Sequence, residues 1–185
     1  MSDTKTIKKV KYLTEEIQAR IMFDFDFRQN TIVCNVTDQM GLVGFETDVL
    51  VLTKAGYAHG FEVKVSRSDL LADLKKVHFA KLKESNCSFS VFKRYYGRFK
   101  HFSYVVPVEL RDIALEVIPS FCGLYVFQKV EHGSVLWKIR EPKKIFDFSW
   151  SEKDQKYLAR LGAMRAYKLM KKIVELKHKQ INSKI

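Results

Sequence analysis

The chain has 185 residues, enough for one domain burying roughly 70% of its unfolded surface. Hydrophobic residues make up 46%, and no apolar run approaches the roughly 20 residues of a membrane helix, so a membrane-spanning class is not expected. The formal net charge of +12 points instead to a polyanionic partner.

The positive charge is uneven. Residues 75–100 carry eight Lys/Arg against one acid, Glu84, and residues 151–185 carry ten against three. Each run reads either as a solvated face or as a surface for nucleic acid. Cys34, Cys87 and Cys122 are odd in number and widely separated, which predicts free thiols in a reducing cytoplasm. No Cys/His spacing suits zinc. The N-terminal MSDTKTIKKVKY is basic with no apolar segment after it, so a signal peptide is not expected.

In chain order, Thr14 is a candidate N-cap, with Glu15 and Glu16 in the first turn of a short helix. Leu13, Ile17 and Ile21 mark its buried stripe. Glu16 lies about 100° from the stripe's centre and Glu15 about 160°, which turns Glu16 toward a neighbouring site. Phe23–Phe27 alternates like a strand edge or a folded-back loop. TIVCNV, residues 31–36, predicts a strand, and a glycine-bearing loop follows it.

Residues 44–69, GFETDVLVLTKAGYAHGFEVKVSRSD, predict a hairpin. Lys54-Ala55-Gly56 forms the loop, a type I turn closed by a left-handed glycine. With Thr53 facing Tyr57, opposed positions add to a constant sum, which sets Asp48 across from Glu62 and Glu46 across from Lys64. Period-two alternation then puts Glu46, Asp48, Glu62 and Lys64 on one face, and Phe45, Val49, Val51, Phe61, Val63 and Val65 on the other. Opposed Cβ atoms lie about 4.5–5.5 Å apart, and two carboxylates that close repel unless a positive charge joins them. A divalent cation and a lysine ammonium both serve, and oxygen-only ligation suits Mg²⁺, with Mn²⁺ as substitute.

Ser66 or Ser68 caps the next helix or donates to a phosphate at its start. Leu70, Leu71, Leu74 and Val77 are its apolar face, with Lys75 and Lys76 elsewhere around it. The stretch SVFKRYYGRFKHF interleaves Lys93, Arg94, Arg98 and Lys100 with Phe92, Tyr95, Tyr96 and Phe99. Such a stretch suits DNA, cations on phosphates and aromatics on bases, and Tyr95-Tyr96-Gly97-Arg98 reads as an exposed turn. Residues 102–107 predict a buried strand, 108–117 a short helix, and 124–130 with 135–140 a second hairpin. From Ser151 a long basic helix runs to about Gln180. It packs on the core, tracks DNA or mediates a homodimer contact.

Asp48, then Glu62-Val63-Lys64, with EVKVSRSDLLADL and the later Tyr104-Val105-Val106-Pro107, Ile118-Pro119 and Gly123-Leu124, resembles the PD-(D/E)XK nuclease superfamily, and within it the small MmcB-like DNA-repair group. Thr47 stands where the family motif has proline. The resemblance spans roughly residues 14–140. It implies an α/β restriction-endonuclease-like core, a mixed β-sheet flanked by helices, over residues 1–150, with the long basic C-terminal helix of 151–185 packed on it or extending from it. It also implies a metal-dependent deoxyribonuclease of DNA repair, recombination or mobile-element and phage DNA processing, leaving a 5′-phosphate. Asp48, Glu62 and the Val63 carbonyl would hold Mg²⁺, Lys64 would orient the attacking water, and Glu16, with Glu46, would position a second metal or a water. The alternative is a nucleic-acid-binding or partner-docking module with a degenerate site. DNA is the expected partner ahead of RNA, and no membrane is expected.

Overall fold

The computed structural model describes residues 11–37, 41–73, 75 and 89–182. Its described strands form one six-stranded mixed sheet in sequential order: β1 (Thr31–Val36), β2 (Thr47–Leu52), β3 (Ala58–Val63), β4 (His101–Pro107), β5 (Gly123–Val130) and β6 (Gly133–Arg140). β1, β2 and β3 are antiparallel, β3, β4 and β5 parallel, and β5 and β6 antiparallel. Parallel neighbours need long crossovers, and helices occupy them. Helices α2 (Arg67–Asp73) and α3 (Phe89–Tyr96) lie between β3 and β4, and α4 (Arg111–Val117), after a 3₁₀ turn at Val108–Leu110, lies between β4 and β5. The remaining helices among the described residues are α1 (Thr14–Asp24) and the 31-residue α5 (Glu152–Asn182). The chain is thus an α/β fold with a mixed sheet between helices and a long C-terminal helix. Among the described residues no helix is long and apolar enough to cross a membrane.

The hairpin turn has the expected geometry. Gly56 has φ +79°, its N–H donates to the Thr53 carbonyl at 2.9 Å, and Thr53 N–H donates to Tyr57 O at 3.0 Å. The register follows from it: Leu52↔Ala58, Val51↔His59, Leu50↔Gly60 and Val49↔Phe61. Each sheet face then buries its own core. On one side Ile17 and Ile21 of α1 pack on Val49, Val51, Phe61, Val63, Val105 and Phe127. On the other, Leu50, Leu52, Phe102, Tyr104, Val106 and Val126 meet Leu70 of α2, Tyr96 of α3, Ala114 of α4 and Leu158 and Leu161 of α5.

Three local expectations change. Phe45 lies ahead of β2, not in it, and joins the second core against Tyr96, Phe99 and Phe102. Strand alternation therefore does not govern it. Leu13 is 48% exposed, and Thr14 is the first helical residue; the Leu13 N–H donates to the Glu16 carboxylate at 3.2 Å. Phe23 and Asp24 close α1 and residues 25–29 turn through Asp26, at φ +51°, so of the two readings of Phe23–Phe27 the folded-back one stands and the strand edge does not.

Candidate active site

The β2–β3 ladder ends at Val49↔Phe61. One step on, the Val63 N–H donates to Oδ2 of Asp48 at 2.7 Å, and the Lys64 N–H donates to Val105 O on β4 at 3.0 Å. The strands part there: β3 stays with β4, and the Asp48 side chain fills the gap β2 leaves. Glu62 and Lys64 point to the face covered by α2, each 5% exposed. Lys64 Nζ donates to Glu62 Oε1 at 2.7 Å.

Helix α2 completes the arrangement. Ser66 caps it, accepting the Asp69 N–H on Oγ at 3.2 Å, with Ser68 Oγ 3.1 Å away. A cap at that place turns the chain back over β3, so Asp69 comes within 3.9 Å and Asp73 within 3.2 Å of Lys64 Nζ. Asp73 is 1% exposed and also accepts the Tyr104 hydroxyl at 2.8 Å. One ammonium thus faces three carboxylates, with Asp48 beside them.

The electrostatics follow from that count. Burial, then the Asp48 charge, push the Glu62 carboxyl up to about 8, against the pull of Lys64. Burial acts to lower Lys64, but Glu62, Asp73 and Asp69 outweigh it and hold the ammonium above its ordinary range. The two shifts agree if surplus negative charge falls on Glu62: neutralising it still leaves Asp73 and Asp69 to keep Lys64 charged. The Tyr104 hydroxyl, raised by burial and by Asp73, stays protonated and donates. Two carboxylates and a backbone carbonyl at this spot are hard oxygen donors, the set that suits Mg²⁺ or Mn²⁺. Among the described residues no group of three or more His, Cys, Asp and Glu is arranged to hold a metal ion.

No family model and no curated protein matches the chain. A solved structure, a protein of unknown function from Silicibacter pomeroyi, is similar at TM-score 0.54 and 16% identity, covering 91% of this chain and 96% of that one. The likeness is one of fold alone.

Within that shared fold, Asp48, Glu62, Lys64 and the Val63 backbone come together as expected from the hairpin, with Ser66 and Ser68 at the α2 start. Glu46 is exposed just ahead of β2. Glu16 is not brought to the group. It sits on the sheet face opposite Glu62, where Lys129 of β5 pairs with it at 2.7 Å and lowers its pKa, the backbone N–H of Leu13 adding to the effect. Of the expected stripe Ile17 and Ile21 are buried and Leu13 is not, and a cation on β5 captured the Glu16 carboxylate.

The basic–aromatic stretch divides. Lys93 and Arg94 are exposed on α3, Lys75 is exposed beyond α2, and Lys76 lies outside the described residues. Tyr95 is half-buried. Tyr96, expected in an exposed turn, is fully buried against Phe45, Phe92, Phe102 and Phe121, so no base reaches it. Arg98 is committed within the fold, to Asp154 at 2.9 Å and over the Phe148 and Trp150 rings. Lys100 lies 3.5 Å from the Tyr57 ring centroid and 3.7 Å from Asp147. Sequence reasoning missed Asp73 and Gln18. Asp73 stands three residues after Leu70 on the α2 apolar stripe, and a charge in that register is the signal. Gln18, buried on α1, donates to Asp48 O at 3.2 Å and to Asn35 Oδ1 at 2.9 Å.

Proposed function

We propose that the protein is a metal-dependent nuclease hydrolysing DNA phosphodiester bonds, with a restriction-endonuclease-like core, acting in DNA repair, recombination or the processing of mobile-element DNA. The observation that carries this reading is the buried Lys64 ammonium against Glu62, at 2.7 Å, where β2 and β3 part around Asp48. Asp48, Glu62 and the Val63 carbonyl would hold Mg²⁺. Burial raises Glu62 first and the Asp48 charge adds to it, and that repulsion is what a bound cation would relieve. When bound, the ion supplies Lewis-acid polarisation of the scissile phosphate and lowers the pKa of a water.

The residues of the chain do the rest. Lys64 keeps its proton, so it acts as a donor and a fixed positive charge and not as a general base. Its ammonium offsets the negative charge that grows on the phosphorane oxygens. Asp73, itself held by Tyr104, keeps that ammonium from swinging away. The +12 net charge draws DNA to the surface.

The test is cleavage of plasmid and linear DNA with Mg²⁺ or Mn²⁺ against an EDTA control, RNA being offered in competition. Wild type should cut only with metal. Asp48→Asn and Lys64→Ala, each confirmed folded by circular dichroism, should lose cutting and keep DNA binding. Cutting that persists in both variants means the site is elsewhere. A second reading, a nucleic-acid-binding module with a degenerate site, draws on the lack of a three-ligand group among the described residues. Calorimetry separates the two: DNA binding without any Mn²⁺ binding favours the module.

A further inference from the structure

A second feature beside the carboxylate cluster is not used by the chemistry above. In the β1–β2 register Asn35 stands across from Asp48, between the pairs Cys34↔Val49 and Val36↔Thr47. Its φ is +54°, a left-handed conformation uncommon outside glycine and retained where surrounding contacts over-determine it. Those contacts come from two helices. Gln18 of α1 donates to Asn35 Oδ1 and to the Asp48 carbonyl. Arg165 of α5 donates through Nη2 to the Asn35 carbonyl.

Between α1, β1 and α5 lies a cavity of about 630 Å³ that opens onto these residues. Ala19, Met22 and Ile32 give it apolar lining, and α5 contributes Arg165 and Lys168, one turn apart. Nη1 of Arg165 is enclosed without a hydrogen-bond partner, and among the described residues neither cation is ion-paired with a carboxylate. The acids near them are Glu15, which lines the cavity from α1, and Glu46, whose charge acts on Arg165. Two unpaired cations on one wall and an acid on the other set a direction. An anionic group belongs against α5, and the apolar lining suits the flat face of a base. The volume is in the range of small-molecule sites.

We propose that this cavity binds one nucleotide of a nucleic-acid strand, its phosphate on Arg165 and Lys168 and its base on the apolar lining, one strand away from Asp48. The inference deepens the nuclease reading and rests on it for the chemical class of ligand. It makes α5 part of the substrate site, and Gln18 and Asn35 the link between that nucleotide and the Asp48 backbone.

The test is fluorescence anisotropy in EDTA with a labelled thymidine oligonucleotide of about twelve nucleotides, a length sufficient for one binding module. Arg165→Gln/Lys168→Gln is compared with Lys171→Gln/Lys172→Gln, an equal loss of charge on the same helix outside the cavity. The cavity variant should bind about tenfold more weakly, and its log–log salt slope should fall by about 1.4, two single-strand phosphate contacts. The control should change by less than about twofold, given that cations without a fixed phosphate contact contribute little. Equal losses in both variants, no loss in either, or a wild type that does not bind overturns the proposal. Equal displacement of the oligonucleotide by poly-glutamate also overturns it, in favour of an acidic peptide. EDTA keeps the result independent of cutting. Metal-dependent cleavage with unaltered binding in the cavity variant defeats this inference alone; weakened binding without any cleavage defeats the nuclease reading alone.

Discussion

Lys64 is surrounded by more negative charge than one ammonium neutralises, and two predictions follow from that imbalance. Breaking a buried ion pair by removing one partner strands the other, so Lys64→Met should destabilise the protein by about 3–5 kcal/mol. Adding Asp73→Asn should recover much of that loss, because the stranded carboxylate within 3.2 Å is then neutral. Urea denaturation of the single and double variants measures both; a double variant no more stable than Lys64→Met would show that the pair is not coupled. The second prediction concerns pH. Glu62 titrates near 8 in the folded state and near 4.5 when unfolded. Between those values the native state holds a proton that the unfolded chain has released, so the contribution of Glu62 to stability is complete below about 4.5 and is lost as pH rises to about 8. Glu62→Gln should flatten that slope in a plot of Tm against pH. A cation needs the ionised form, so Mn²⁺ should raise the Tm of wild type more at pH values above this window than inside it. Asp48, Glu62 and Lys64 were legible in the sequence because turn geometry and period-two alternation act over a few residues. Asp73 was not, because its place beside Lys64 depends on how α2 folds back over β3.

Elements show the same division through their packing. The β2–β3 hairpin could be registered from Lys54-Ala55-Gly56 alone, since a closed turn leaves one way to zip the strands. What the hairpin lies against was not legible. A Cβ at Gly60 would stand 2.6 Å from the Phe102 ring and 2.7 Å from Phe99, both fully buried. Gly60→Ala should therefore cost about 1–3 kcal/mol through overpacking, with an unchanged m-value in urea. A loss of stability below about 0.5 kcal/mol would mean the rings move aside easily, contrary to a close-packed core. In Ser90–Phe102 sequence spacing could not separate stacking aromatics from core aromatics. Tyr96 at the end of α3, Phe99 in the turn after it and Phe102 on β4 all went inward to the second core, and Lys93 and Arg94 stayed outside on α3.

At the scale of the whole molecule, Arg98 and α5 tie the sheet to its C-terminal helix. Arg98 pairs with Asp154 at the start of α5 and stacks over Phe148 and Trp150, and the Trp150 indole N–H donates to Arg98 O at 2.9 Å. Arg98→Ala should lower stability by about 1–2 kcal/mol, for a partly exposed ion pair with two ring contacts. DNA affinity should change less than about twofold, because this arginine is engaged inside the fold. A binding loss as large as its stability loss would return it to the nucleic-acid surface. The positive charge of the Ser90–Phe102 stretch left open to nucleic acid is on α3, where Lys93 and Arg94 are exposed.

The sequence by itself determined the local geometry: the glycine-closed turn and its register, the six described strands in their order, the helices other than α3, the long basic helix among them, and the nearness of Asp48, Glu62 and Lys64. Each depends on backbone preferences and side-chain period within one element or one hairpin, where the chain carries its own signal. Only the tertiary structure decided which long-range partner each charge meets. Tyr104 holds Asp73 across 31 residues, Lys129 takes Glu16 across 113, and Arg165 reaches Asn35 across 130. Such pairs form because distant elements are pressed onto the same sheet, and burial then makes every polar group find the nearest partner that packing supplies.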